Sequence, residues 1–352
     1  MKPRVAGGAF ARFLLVLLLA GLAVAGWQWQ RYQGFADAPL AGIDAGDSLV
    51  VARGDSLDKV LRTLQAQGVD TGDRVQWQVL ARQTGAAGKL QVGEYALAPD
   101  TSPRALLLAM RDGKVVRRNF TIVEGWNIRD VRAALAKVEG LEHDSAGLDD
   151  AALMKALGHP GQHPEGRFLP ETYAWVKGDG DLDLLKRAHK AMQEALDEAW
   201  TSRADDLPLK NADEALVLAS IVEKETGIAE ERPAIAGVFV RRLKIGMRLQ
   251  TDPTVIYGMG AAYAGNIRRS DLTTDTPYNT YTRAGLTPTP IAMPGKAALR
   301  AATRPADGDA LYFVAVGDGS GRHVFSASLE AHNTAVRDYV QRYRAQRQAA
   351  PK

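Results

Sequence analysis

Cysteine is missing from this chain of 352 residues, which excludes disulfide staples, thiolate nucleophiles and Cys-type zinc sites. Histidine is scarce: the six (His143, His159, His163, His189, His323 and His332) show no HExxH pairing, so no metal is expected and no cofactor is invoked. Charge of one sign is not in excess. The formal net charge is +3, carried partly by Lys2, Arg4 and Arg12 and by a basic tail from Arg337 to Lys352, and nothing in it argues for nucleic acid. With 46% hydrophobic and 24% charged residues, the chain has the material for two domains with real cores.

A long apolar run is present only at the N-terminus. Phe13 to Trp29 reads FLLVLLLAGLAVAGWQW, 17 residues without a charge, after a basic leader and before Arg31. One reading is a transmembrane anchor with Trp27 and Trp29 in the interfacial belt and Arg31-Tyr32 as its stop; the other is a cleaved signal peptide with Ala23-Val24-Ala25 as the small-residue site. We read it as an anchor. The expected order is a cytoplasmic leader (1–12), a single span (13–31) and a linker (32–46), with everything after about residue 32 outside the cytoplasm. Either reading exports the globular part.

The segment 47–117 reads as strand, helix, helix, strand. Leu49 to Leu57 gives a strand, a turn and a helix start with Ser56 as N-cap; Val75 to Thr84 is a second helix and Leu90 to Leu97 a returning strand. Its V-x-x-G-D-S-L-x-x-V opening resembles a LysM-type carbohydrate-binding module, the competing reading being a plain packing subdomain. After a helix from Ala105 to Met110 and a basic strand Val115 to Val123, a boundary near 115–120 leads into a larger domain, 118–343, followed by the tail 344–352. That domain offers helices at Ile128–Val138 and Leu182–Trp200, an irregular Gly/Asp/His stretch over 140–163, and a buried-strand pattern at Ala310–Val316. A turn at Gly317–Gly321, a strand at His323–Ser326 and a closing helix through His332 and Tyr339 follow. Strands and helices do not alternate regularly, so the fold class is α+β.

Leu218, Ile221, Val222 and Glu225 recur at i, i+3, i+4 and i+7, which puts Glu225 on an apolar stripe and points Glu223 away from it. A carboxyl at the dry end of a helix holds its proton toward neutral pH and can serve as a general acid. A solvated or ion-paired glutamate is the bland alternative. Asn211 and Glu214 have capping-box spacing at the start of this helix, Gly227 stands at its end, and Pro233 opens the next. From Arg248 to Gly295, regular periodicity gives way to Pro, Gly, Thr, Tyr and Asn, the mixture of rings, hydroxyls and amides that a sugar cleft needs.

The motifs EGWNIRDV (124–131), PEGRFLPETY (164–173), LASIVEKETG (218–227), RLQTDPTVIYG (248–258), PYNTY (277–281) and HVFSASLEAHNTAV (323–336), in this order, resemble the YceG-like (MltG) family of endolytic murein transglycosylases. The resemblance implies a lyase that cuts the β-1,4 bond between N-acetylmuramic acid and N-acetylglucosamine in nascent peptidoglycan, leaves 1,6-anhydro-muramyl ends and terminates glycan elongation. It implies Glu225 as the catalytic acid. It also implies an inner-membrane protein with a periplasmic catalytic domain, glycan strands as partner and peptidoglycan synthases as further partners. Thr251, Asp252, Asn279 and Tyr281 are candidate partners of Glu225 or the sugar. Asp252 or Glu171 is a candidate second carboxylate, which would make the enzyme a hydrolase. Met293 stands where the family has Asn, so no role is assigned there. A non-catalytic wall-binding scaffold is the rival from another class.

Overall fold

In the computed structural model, which describes residues 7–349, the apolar N-terminus forms α1 (Gly7–Asp37). Lys2 and Arg4 of the basic leader and the last residues of the tail lie outside the described residues. Phe10–Asp37 is long and apolar enough to cross a membrane, and its leucines are exposed. The helix does not stop at Arg31-Tyr32. Where a linker is expected from residue 32, it runs on to Asp37, because Phe35 and Ala36 are buried in the core that follows. Phe35 meets Trp77 edge-on at 5.5 Å, the Tyr32 hydroxyl donates to Gln83 at 2.6 Å, and Arg104 pairs with Asp37 at 2.7 Å.

The chain divides into two compact units: one through Arg118 together with Val176–Gly178, the other Asn119–Trp175 together with the chain from Asp179 onward. After α1 the first unit holds β1 (Ser48–Val51), α2 (Leu57–Ala66), α3 (Arg74–Gln83), β2 (Gly93–Ala96) and α4 (Pro103–Asp112). Local chemistry sets these starts. The Ser56 and Ser102 side chains accept from the amides of Lys59 and Ala105, and Asp73 and Gln76 form a reciprocal capping box. β1 and β2 pair antiparallel with Leu49 opposite Tyr95, and both side chains join Val60, Leu64, Leu80, Leu106 and Met110 in one core.

The second unit runs β3 (Arg118–Thr121), α5 (Ile128–Leu135), α6 (Asp150–Ala156), β4 (Thr172–Trp175), α7 (Asp181–Thr201), α8 (Ala212–Glu225), α9 (Arg232–Lys244), α10 (Asp252–Met259), α11 (Arg269–Thr273), α12 (Lys296–Thr303), β5 (Tyr312–Ala315), β6 (His323–Ser326) and α13 (Leu329–Ala349). The stretches read as irregular therefore contain α6, α10 and α11. These helices have five to eight residues, too few for apolar periodicity to show. β5 is shorter than the expected Ala310–Val316, and its residues are half-buried rather than buried, because the β5–β6 hairpin is two-stranded.

α8 carries the site, and its neighbours explain its sequence. Ala215 to Glu223 are all buried, since α7, α9 and α12 pack around it. No single stripe exists, so helical phase does not separate Glu223 from Glu225. Glu223 is in fact the drier of the two, with a side chain 4% exposed and ion-paired to Arg232 at 2.9 Å. The expected capping box is half formed: Asn211 accepts from the Glu214 amide at 2.9 Å, while the Glu214 carboxylate accepts from the Lys210 amide at 2.7 Å. The helix ends because Thr226 turns extended (φ −143°, ψ 136°), and Gly227 does not adopt a left-handed cap.

Candidate active site

Glu225 is the last residue of α8 and half-buried, and it lines a cleft of about 540 Å³. Thr251, Asp252 and Tyr281 line the same cleft, as do Gln250, Arg242 and Tyr312. Burial is the main force on the Glu225 carboxyl and the adjacent Asp252 charge adds to it. The Thr251 hydrogen bond and the charges of His323 and Arg242 oppose them, leaving the pKa at about 7. Such a group holds a proton at neutral pH and can release it.

Thr251 occupies the N-cap position of α10, where a threonine hydroxyl ordinarily accepts from a helix amide. Here it makes no such cap and donates to Glu225 Oε1 instead. Its placement is over-determined. Gln250 before it has φ 49°, a left-handed conformation costly for a non-glycine residue, and donates its amide to Thr280 O at 3.2 Å. The Thr251 amide donates to the Thr280 hydroxyl at 3.0 Å. Tyr281, next along, donates its hydroxyl to Asp252 Oδ1 at 2.6 Å.

Because the Thr251 hydroxyl favours the ionised form of Glu225, Thr251→Val is expected to raise the Glu225 pKa. The alkaline limb of the pH–rate profile should move up by on the order of one pH unit. A profile superimposable on that of the unaltered protein would show that this contact does not govern the acid.

Two expected residues lie elsewhere. Asn279 is 1% exposed, and its amide does not line the cleft. Nδ2 donates to the carbonyls of Asp271, Leu272 and Thr274 at 3.1, 3.1 and 2.7 Å, and Oδ1 accepts from the Tyr281 amide at 2.9 Å. It shapes the loop and aims Tyr281, a task that turn-forming Asn performs more often than ligand binding. Glu171 follows β4's leading turn, half-exposed against Lys296 at 3.4 Å, and is not among the residues lining the cleft.

Sequence reasoning missed Arg242, Glu165 and the far wall of the cleft. Arg242 is 7% exposed, donates to the carbonyls of Leu311 at 2.7 Å and Leu249 at 2.6 Å, and sits over the Tyr312 ring at 5.3 Å. Its signal, an arginine pair inside a helix, is indistinguishable from a solvated face. Glu165, in the same motif as Glu171, is wholly buried. Burial lifts its pKa to about 7 against the Ile128 amide and the Tyr257 hydroxyl, which donate to it at 3.1 and 3.0 Å. Since Tyr257 belongs to α10 and Ile128 opens α5, Glu165 ties the helix that follows Thr251 to α5. Tyr257→Phe should destabilise the protein by about 1–3 kcal/mol, the cost of a buried acceptor losing its donor. Urea denaturation reads this directly, and no shift in midpoint would contradict the tie.

A carboxyl held near pKa 7 in a cleft lined by aromatic rings and hydroxyls has the chemistry that acid–base catalysis needs. The chain belongs to the YceG-like family, whose model matches residues 49–338. It is 30% identical over 307 residues to the endolytic murein transglycosylase of Bacillus subtilis, covering 82% of this chain and 84% of the relative. It is 32% identical over 287 residues to the endolytic murein transglycosylase of Streptococcus pneumoniae, covering 71% of this chain but 51% of that longer relative. The crystal structure of a yceG-like protein from Listeria monocytogenes is similar at TM-score 0.50 and 26% identity, over 82% of this chain and 98% of the other.

Proposed function

We propose that this protein is an endolytic murein transglycosylase that cuts the β-1,4 bond between N-acetylmuramic acid and N-acetylglucosamine. The observation that carries this reading is Glu225, a carboxyl held near pKa 7 in a cleft that also presents Thr251, Asp252, Tyr281 and Tyr312. Neutral Glu225 donates its proton to the glycosidic oxygen as the C–O bond breaks. The carboxylate so formed takes the proton of the muramyl C6 hydroxyl, whose oxygen closes on the anomeric carbon. The product is a 1,6-anhydro ring, no water is consumed, and Glu225 returns to its acid form. The intramolecular hydroxyl replaces the second carboxylate or activated water of ordinary glycosidases, and its high effective concentration speeds the step. In this scheme Asp252 keeps Glu225 protonated, and Tyr281 holds Asp252.

A hydrolase reading rests on the same Asp252, which shares the cleft and could activate water. Digestion of purified sacculi followed by mass spectrometry of the fragment ends separates the two. Anhydro ends are expected; reducing ends, one water heavier, would refute the transglycosylase step.

The remaining assignments follow from this reading. α1 anchors the protein in the inner membrane with the folded units in the periplasm, where newly made strands emerge, and cutting them terminates elongation beside the peptidoglycan synthases. The first unit acts as a LysM-like hold on glycan. A cavity of about 260 Å³ beside α2 and α3, lined by Trp77, Arg62, Arg74 and Thr71, supports that hold.

A further inference from the structure

The motif HVFSASLEAHNTAV contributed no residue to the site as read from sequence, yet it builds one wall of the cleft. Leu329, His332, Asn333 and Val336 stand at i, i+3, i+4 and i+7 on α13, so they form one helical face, and all four line the cleft that holds Glu225. Leu329 is 55% exposed, an apolar side chain left facing open space. The polar centre of this face is His332 and Asn333, flanked by Leu329 and Val336.

His332 is fixed in place. Its ring stacks on Tyr312 at 5.2 Å and 23°, and Tyr312 in turn covers the Arg242 guanidinium. Nδ1 is shielded from solvent and has no hydrogen-bond partner among the described residues. A proton on that nitrogen would be a buried donor with nothing to receive it, so the neutral ring carries its proton on Nε2. Burial, and then the Arg242 charge, hold the His332 pKa below its ordinary value, keeping the ring neutral. Arg242, on the same cleft, donates Nε to Leu311 O and Nη1 to the carbonyls of Leu249 and Arg248, so its contacts are backbone carbonyls and the face of α13 itself carries no charge. The wall therefore presents a neutral N–H donor beside a carboxamide, between two apolar side chains. That combination of neutral donor, carboxamide and flanking carbon matches a secondary amide carrying a methyl or methylene group.

We propose that His332 and Asn333 form a subsite that grips a secondary amide of the glycan substrate, with Leu329 and Val336 covering its carbon atoms. The proposal rests on the glycan-cleaving reading above. Two amides have this chemistry: the C2 acetamido group of an aminosugar, and the first amide of the peptide stem.

Binding to the full-length Glu225→Gln protein separates this subsite from turnover. Dissociation constants are measured by sedimentation for three glycan preparations: intact strands, strands stripped of stem peptides by an amidase, and N-deacetylated strands. Adding His332→Ala should weaken binding of intact strands about tenfold, one neutral hydrogen bond's worth, and His332→Gln, which retains an N–H donor, should recover most of it. The gap should close on deacetylated strands if the acetamido group is the ligand, or on stem-free strands if the stem amide is. Asn333 is exposed, so Asn333→Ala keeps the fold and should show the same pattern. A gap that persists on both altered glycans, or no gap on intact ones, overturns the proposal. Failure of the catalytic reading would show separately, as an unaltered protein that binds strands and does not cut them.

Discussion

Glu225→Gln is expected to lower kcat on peptidoglycan by about a thousandfold, within the range a lost general acid costs, while the protein folds and still binds glycan. Glutamine preserves shape and a hydrogen bond to Thr251 but has no proton to give. Retained release of muropeptides would refute the assignment. The same substitution has a second signature. The folded protein holds the Glu225 proton up to about pH 7, whereas an unfolded chain releases it near 4.5. Between these values the native state binds more protons, so the contribution of Glu225 to stability is fully present below about pH 4.5 and lost as pH rises through 7. Glu225→Gln should therefore melt higher than the unaltered protein at pH 8, by on the order of 2 kcal/mol after allowing for partial exposure, and show no such gain at pH 4. Activity should also decline above about pH 7, as the acid loses its proton. A variant that is dead, and whose gain in stability grows from about pH 4.5 to 7 and then levels off, would mark Glu225 as a group kept at the expense of stability.

Glu223→Ala is expected to be the most destabilising single change near the site, at about 3–5 kcal/mol, because it strands a buried guanidinium. Glu223 accepts from Arg232 at 2.9 Å and from the Gly295 amide at 2.9 Å, with Glu124 a looser second partner of Arg232 at 3.5 Å. These bonds fasten the last turn of α8 to α9 and to the start of α12. A Cβ at 295 would run into the Glu124 carboxylate, which would have to swing away from Arg232 to admit it. Replacing both partners with methionine should recover most of the loss, since apolar side chains of similar volume often substitute for a buried ion pair. The measurement is the urea midpoint of the single and double variants. A loss below about 0.5 kcal/mol for Glu223→Ala would mean that the pair does not hold the helix end.

The two glutamates show what was legible and what was not. Sequence pattern located the helix, its Asn211 start and the residue at its cleft end, and family resemblance agreed on Glu225. Helical phase does not make that choice, because a helix packed on every side has no wet face to which Glu223 could turn. What distinguishes the pair is partnership: Glu223 meets a cation, whereas Glu225 meets a hydroxyl and a second carboxylate. Partnership is set by α9, whose start Pro233 marks in the sequence but whose packing it does not, and by α10, which is too short for periodicity to show. The same limit explains Asn279 and Glu171, whose residue types suited a sugar cleft but whose backbone positions gave them other tasks. It explains His332 as well, which reaches the cleft only because the last helix folds back against the hairpin before it.

The unbroken run of α1 into the first core has a mechanical consequence. From Trp29 to Asp37 the helix rises only about 12 Å, and no hinge separates that rise from Phe35 and Ala36, which are built into the folded unit. In the anchored reading, the first unit is mounted on a short stiff post rather than a tether. Its standoff from the bilayer is then set by helix length, any tilt of the span turns the unit with it, and its reach is restricted to strands still lying close to the membrane.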